Sequence, residues 1–337
     1  MKAAVIHGIN SITVDEVPEP PVGPDEVKVK IAYCGLCGTD PENLEGRFGL
    51  MPPEVYKQDR IIGHEAAGTI AELGSNVTQY KVGQRVAMNF RSSCGACWYC
   101  RNGMEHFCRT GEGSSGSFAE YAVYPESCIY ELPDDLTMEQ GAMLEPVSVA
   151  VHAIDQTNVR TGSTVAIAGG GPIGLLCMQM ALKAGAARVM LSEPIKEKRD
   201  LARKLGADLA VDPFNEDIVA AGKQLTGGRG FDCVIDASGS VKAAEQCLDL
   251  ADNKAVILWA AVYGKDVRIP VSPFTMYAKE LTITSTFVSP YSFPRALNLL
   301  PKLELDALIT DIILLADIAK AFELHKAGKS IKILIKP

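Results

Sequence analysis

The sequence has no Lys/Arg-rich block, and its 33 basic residues are outnumbered by 41 acidic ones, for a formal net charge of −8. Nucleic acids and anionic membranes are gripped mainly through clustered cations, so the bulk charge gives no support to either partner. A long apolar run is also missing. The longest stretch without a charged side chain, Thr161–Leu182, carries five Gly and Pro172 within its first fourteen positions and begins with a β-like TVAIA. That composition argues against a membrane-spanning helix despite its length. The opening MKAAVI stops at His7 and Gly8, too short for the apolar core of a secretory leader, so a cytoplasmic protein is expected. No long linker, repeat or low-complexity segment interrupts the chain.

What is present is a chain of 337 residues, 47% hydrophobic and 22% charged, the balance of a globular protein with room for two domains. The first 150 residues read as short β runs (KAAVI, EVKVKIA, AAGTIAEL, QRVAMNF) broken by Gly, Pro, Asn and Asp. From Thr161 strand-like and helix-like runs alternate: TVAIA, PIGLLCMQMALKAG, RVMLS, KEKRDLARKLGA, LAVD, and onward to KAVILWA. That alternation predicts βαβ units and a mostly parallel sheet. On the first of these helices Ile173, Leu176, Cys177, Met180, Ala181 and Ala184 recur at three- and four-residue spacing, which predicts one face packed on the sheet. Past Lys279 the texture becomes mixed and ends in IKILIK.

Gly169-Gly170-Gly171-Pro172-Ile173-Gly174 follows the strand TVAIA and opens the helix, the context that gives G-x-G-x-x-G its meaning. Gly169 permits the tight turn, Gly171 lets the backbone approach a pyrophosphate, and Gly174 lets helix and strand pack closely. Pro172 and Ile173 begin the helix whose free N–H groups favour phosphate. The next strand ends at Glu193, nineteen residues after Gly174, where a carboxylate accepts from both adenosine ribose hydroxyls and repels a 2′-phosphate. This spacing points to NAD. Lys196, Lys198 and Arg199 follow closely and keep NADP as the alternative.

Ten cysteines occur, four of them within fifteen residues. Cys94-x2-Cys97-x2-Cys100-x7-Cys108 supplies four thiolates, a closed tetrahedral zinc set of the structural kind. An iron–sulfur cluster or free thiols are the alternatives, and no cluster-type Cys-Pro follows. His106 lies in the same loop, but the four Cys already complete a shell. Elsewhere Cys37 in CGLCGTD, His64 and Glu65 in GHE, and Glu145 in LEP are unremarkable one by one. Beside a cofactor loop they suggest a second, open zinc site with a place for a substrate oxygen.

CGLCGTD, IIGHEAAG, the four-Cys loop, MLEPVSVAVHA and GGGPIG occur here in the order of the zinc-dependent medium-chain dehydrogenase/reductase superfamily, and the chain most resembles its sorbitol (polyol) and threonine dehydrogenase branch. The resemblance covers essentially the whole length. It implies an α/β fold with a GroES-like β-rich catalytic domain over residues 1–148, a structural zinc lobe at about 91–110, a Rossmann doubly wound parallel sheet over 149–282, and a return segment, 283–337, that completes the first domain. It implies a homo-oligomer, dimer or tetramer; the two sites themselves imply two zinc ions per chain, and the Val/Ile-rich strand AVILWAAV is expected to extend a sheet across an interface. By the resemblance Cys37 and His64 are catalytic zinc ligands, while Cys34 is not. Glu65 and Glu145 both approach the metal, Asp40 orients the histidine, and Thr39 starts a proton relay.

Two positions depart from the branch. Glu42 stands where many relatives carry the relay histidine, and Phe287-Val288-Ser289 stands where polyol enzymes carry an Arg that positions the hydroxyl chain. Sorbitol itself is therefore not the expected substrate. The expected reaction is hydride transfer between a secondary alcohol (a polyol, cyclitol, amino sugar or 3-hydroxy amino acid) and NAD. An NADPH-dependent carbonyl reductase on the same fold is the rival enzyme. A non-catalytic zinc scaffold, which would be expected to lose open-site ligands, is the rival from another class.

Overall fold

The computed structural model describes residues 1–337 apart from Glu112 and Ser115. The chain divides into two compact units: residues 1–146 together with 290–337, and residues 147–289. The first unit begins with strands β1 (Lys2–Gly8), β2 (Ser11–Glu16), β3 (Glu26–Gly35), β4 (Arg60–Ile61), β5 (Glu65–Leu73), β6 (Arg85–Met88), β7 (Tyr121–Pro125) and β8 (Ile129–Glu131). The second unit holds β9 (Thr164–Ala168), β10 (Arg188–Ser192), β11 (Leu209–Val211), β12 (Phe231–Asp236), β13 (Ala251–Trp259) and β14 (Thr282–Ser285). The chain then returns to the first unit with β15 (Ile309–Leu314) and β16 (Lys332–Lys336).

In the second unit all strand pairs are parallel and the order is β11-β10-β9-β12-β13-β14. This is the doubly wound dinucleotide-binding order, with its switch point beside β9. Such a sheet is covered on both faces, so the centres of its inner strands are apolar. Val165, Ile167, Val189, Leu191, Val234, Ile235, Ile257 and Leu258 are buried accordingly. The helix Pro172–Lys183 differs from the one-face expectation. Gly174 to Ala181 are all buried, whereas Ile173 and Ala184 at its ends are only half-buried. A helix at the centre of a covered sheet is enclosed nearly all round, so its periodicity records only part of its burial.

AVILWAAV does not lie at an edge. Its strand, β13, pairs with β12 on one side and β14 on the other, and the edge is the short polar TITS of β14. Interior strands of a parallel sheet need continuous apolar runs, and edge strands are kept short.

The first unit is built on a seven-stranded sheet and a smaller sheet of order β2-β1-β4. Its core gathers Val27, Val29, Ile31, Ala66, Ile70, Val86 and Tyr124 from the amino-terminal part, and Leu315, Ile333 and Ile335 from the return segment. β3 is the pivot. β5 pairs along one edge, while β7 (at Glu26–Lys30) and β16 (at Cys34–Gly35) share the other.

After β9 the backbone turns through Gly169 at φ +102°. A Cβ at Gly174 would overlap the carbonyl oxygen of Gly169. Gly174→Ala is therefore expected to cost about 1–3 kcal/mol, the usual range for forcing atoms into filled space. Denaturant unfolding measures this, and a variant as stable as the parent would remove the packing argument.

Candidate metal centres and cofactor loop

β3 ends at Gly35 and the chain runs through Leu36 and Cys37 into the short helix Thr39–Leu44. Its register with β5 sets Gly35 opposite Glu65 and Cys34 opposite Ala66. Cys37 on one strand exit and His64-Glu65 at the start of the neighbouring strand are thus brought together. One donor atom from each of Cys37, His64 and Glu65 lies within 4.8 Å of the others. Glu145 is not in that trio. It opens the helix Leu144–Thr157, is buried, and its charge is felt at His64.

Asp40 is 1% exposed and faces the trio from behind. Its Oδ2 accepts from the Cys37 amide at 2.9 Å, and its Oδ1 stands 3.6 Å from His64 Nδ1. The second distance is an electrostatic contact rather than a hydrogen bond. With Nδ1 turned to Asp40, the other ring nitrogen of His64 is left for a metal, the arrangement found at histidine ligands. His64 also packs edge-on against Phe90, with ring centroids 5.3 Å apart.

Burial pushes Asp40 up to about 6 and Glu145 up to about 7. Burial acts to lower His64, but the charges of Cys37 and Asp40 outweigh it and hold its pKa well above the ordinary value. The centre gathers a thiol, an imidazole and carboxylates at a partly buried place, a donor set suited to a metal cation. A thiol, an imidazole and a carboxylate make a three-ligand set of the open zinc type, so the donors fit the metal.

Lys332, which no motif marks, belongs to this neighbourhood. It is 1% exposed, and its Nζ lies 2.5 Å from Glu65 Oε2 and donates to Leu36 O at 3.1 Å. Burial acts to lower its pKa, but Glu65 and then Cys37 reverse this, and the group stays a cation. Thr39 starts the short helix and is half-buried. Glu42, one turn further on, pairs with Arg47 at 3.0 Å.

The four-Cys loop folds round the helical turn Trp98–Arg101. Cys97 Sγ and Cys94 Sγ lie 3.5 and 3.9 Å from Cys100 Sγ, and all four are free thiols. Ligands at the usual Zn–S bond of about 2.3 Å would stand about 3.8 Å apart on a tetrahedron, so these separations fit. Amides support the sulfurs, with Cys94 N donating to Cys108 Sγ at 3.4 Å and Cys97 N to Cys94 Sγ at 3.3 Å. His106 stands outside the thiol set and packs on Phe107, centroids 4.1 Å apart. Tyr291 of the return segment ties the lobe down, its amide donating to Glu105 Oε1 at 2.7 Å and its hydroxyl to Cys100 O at 3.1 Å.

In the second unit Gly171 caps the helix that Pro172 and Ile173 begin, and a Cβ at Gly171 would meet nothing within 4 Å. Glu193 is buried at the end of β10. Its Oε2 accepts from Gly170 N at 2.7 Å and its Oε1 from Ile195 N at 2.9 Å. Arg199 donates to the carbonyls of Glu193 and Pro194, both at 2.7 Å, and pairs with Asp212 at 3.2 Å. Arg199 thus braces the turn that carries Glu193. Lys196 pairs with Asp200 at 2.5 Å, and Lys198 is buried.

A doubly wound sheet with a glycine-rich crossover, in a chain that also gathers two sets of metal donors, defines a metal-assisted oxidoreductase. Comparison with known proteins makes this specific. Residues 23–134 match the alcohol dehydrogenase GroES-like domain and residues 172–302 the zinc-binding dehydrogenase family. Among relatives, a sorbitol dehydrogenase of Halalkalibacterium halodurans is 34% identical over 100% of this chain and 99% of that one. An L-threonine 3-dehydrogenase of Pyrococcus horikoshii is 35% identical over 99% and 97%. A zinc-binding dehydrogenase from Sinorhizobium meliloti, solved bound to NADP, superposes with a TM-score of 0.93 at 34% identity over 100% and 99% of the chains. The chain belongs to the zinc-dependent medium-chain dehydrogenase family, in its polyol and threonine dehydrogenase-like branch, and is an enzyme.

Two chemically distinct centres should behave differently when cut. Cys37→Ala is expected to lose one zinc per chain and turnover while remaining folded. Cys97→Ala should destabilise the protein, because a structural zinc contributes folding energy. Elemental analysis with thermal unfolding reads both. Full turnover in Cys37→Ala would dismiss it as a catalytic ligand.

Proposed function

We propose that the protein oxidises a secondary alcohol bearing a neighbouring hydroxyl or amine (a polyol, cyclitol, amino sugar or 3-hydroxy amino acid) with NAD as hydride acceptor. The observation that carries this reading is the trio of Cys37, His64 and Glu65, three different donors within 4.8 Å at a partly buried place. Cys37, His64 and Glu65 would hold the catalytic zinc, with Glu145 close behind, and Cys94, Cys97, Cys100 and Cys108 the structural one. When bound, the catalytic zinc supplies Lewis-acid polarisation of the substrate oxygen, and the nicotinamide supplies the hydride-accepting carbon.

The chain's own groups do the rest. Asp40 fixes the Cys37 loop through its amide and keeps His64 oriented. Thr39 receives the hydroxyl proton at its side-chain oxygen and passes it outward. That path ends on water, since Glu42 is engaged with Arg47. The carboxylate in the trio is a harder ligand than thiolate and suits a substrate that offers a second oxygen or nitrogen. Asp40, buried beside the trio and facing His64, adds negative character that disfavours a phosphorylated substrate. Sorbitol is demoted because, by the resemblance, Val288 matches the position where polyol enzymes carry the hydroxyl-positioning Arg.

Gly169, Gly171, Pro172, Ile173 and Gly174 would receive the pyrophosphate, and Glu193 the adenosine ribose. Preference for NAD follows from the Glu193 carboxylate and from Arg199 being turned onto main-chain carbonyls and Asp212. NADP is the second reading, favoured by the NADP bound to the Sinorhizobium relative. We further propose a cytoplasmic homo-oligomer with the β14 edge free for pairing. Ten free thiols suit a reducing compartment, and among the described residues no helix is long and apolar enough to cross a membrane.

A panel of polyols, cyclitols, amino sugars and 3-hydroxy amino acids, followed by NADH absorbance, tests the substrate class. Best activity on ethanol, a bulky aromatic alcohol or a sugar phosphate would sink it. The cofactor assignment has its own check. Wild-type kcat/KM should favour NAD over NADP, and Glu193→Ala should narrow the ratio by about tenfold or more, as loss of charge repulsion and ribose bonding requires. A wild-type preference for NADP would overturn it.

A further inference from the structure

Lys332 and Glu65 stand on strands that are not neighbours. β16 and β5 flank β3 on opposite edges, with Leu334 opposite Gly35 on one side and Glu65 opposite Gly35 on the other. Two strands flanking a third are about 9–10 Å apart, so both side chains must reach over the middle one. They do so at Gly35. A Cβ there would overlap Glu65 Oε2 and stand 3.1 and 3.2 Å from Glu65 Cβ and Cδ. The resulting pair is buried on both sides, 1% and 2% exposed, and Nζ–Oε2 is 2.5 Å. Leu36, one residue before the ligand Cys37, offers its carbonyl to the same ammonium.

We propose that Lys332 is a positioning residue for the carboxylate of the open metal centre. It holds Glu65 Oε2 over the Gly35 gap and so leaves Oε1 as the oxygen that faces a metal. It also offsets one negative charge of the ligand set. The metal is then held less tightly than Cys37, His64 and an unrestrained Glu65 would hold it, and a position stays open for substrate. The inference rests on the proposed metal reading of the Cys37–His64–Glu65 trio.

The test follows loss of the exchangeable zinc to a chromogenic chelator, with the four-Cys zinc as internal reference, and the visible spectrum of the cobalt-substituted protein. In Lys332→Met the exchangeable zinc should leave about tenfold more slowly or slower still, because a cation beside a divalent ion is removed. The cobalt spectrum should shift, and KM should rise more than kcat falls. Lys332→Arg should restore retention toward the parent. Gly35→Ala breaks the pair without deleting either charge, and Gly35 is not at positive φ, so the backbone tolerates it. It should shift the cobalt spectrum too, and it decides the matter if Lys332→Met does not fold. Parent-like zinc loss and cobalt spectra in the folded variants would overturn the proposal and leave a merely structural bridge. Cys37→Ala, run alongside, separates the two readings. If it keeps both zinc ions, the metal reading has failed. If it loses one while the Lys332 and Gly35 variants match the parent, only the positioning role has failed.

Discussion

The register of β3 against β5 places Gly35 opposite Glu65, and the whole candidate catalytic centre hangs on that pairing. Side chains alternate faces along a strand, so a slip of one residue would send Glu65 to the opposite face. The pairing is secured away from the site, where Val27, Val29, Ile31, Ala66 and Ile70 pack into one core. Cys37 and His64 are on loops that leave these strands, so the strands aim them and the loops need little stiffness of their own. Asp40 supplies what stiffness is needed by binding the Cys37 amide.

Charge is the second constraint. Asp40, Glu65 and Glu145 are all buried, with a thiol and an imidazole among them. Buried ions are costly unless paired, and here Lys332 pairs Glu65 while Asp40 faces His64. Burial itself favours the neutral carboxyl and pushes Asp40 and Glu145 above the ordinary carboxylate range. The glycine loop meets its needs differently. Each Glu193 oxygen accepts one main-chain amide and keeps capacity for a further donor, and Arg199 closes the carbonyls around it.

The elements legible in the sequence are those whose parts are contiguous. GGGPIG lies on one turn, the four thiols lie in one loop, and the motifs around Cys37, His64 and Glu145 are each a few residues long. Lys332 was illegible because its partner is 267 positions away and IKILIK reads as a strand with lysines on a wet face. Only the gap at Gly35 hints that something must cross β3, and a glycine beside a cysteine motif carries no such label. AVILWAAV was misplaced at an edge for a related reason. Its apolar run reports burial on both faces, which is the mark of an interior strand, and the polar β-branched TITS was the better edge signal. The tie between half-buried Glu42 and exposed Arg47 is a side-chain choice, and no periodicity encodes it.

That β16 follows the entire second unit has a consequence for synthesis. Glu65 leaves the ribosome 267 residues ahead of Lys332. At about 5–20 residues per second the interval is roughly 13–53 s. The continuous stretch 147–289 has every strand of its own sheet before the return segment exists, and is free to fold first. Meanwhile β3 keeps a bare edge at Cys34–Gly35, and Glu65 lacks its lysine partner. In the nascent chain the catalytic half therefore closes last, when its final strand slides in beside β3 and brings the lysine with it.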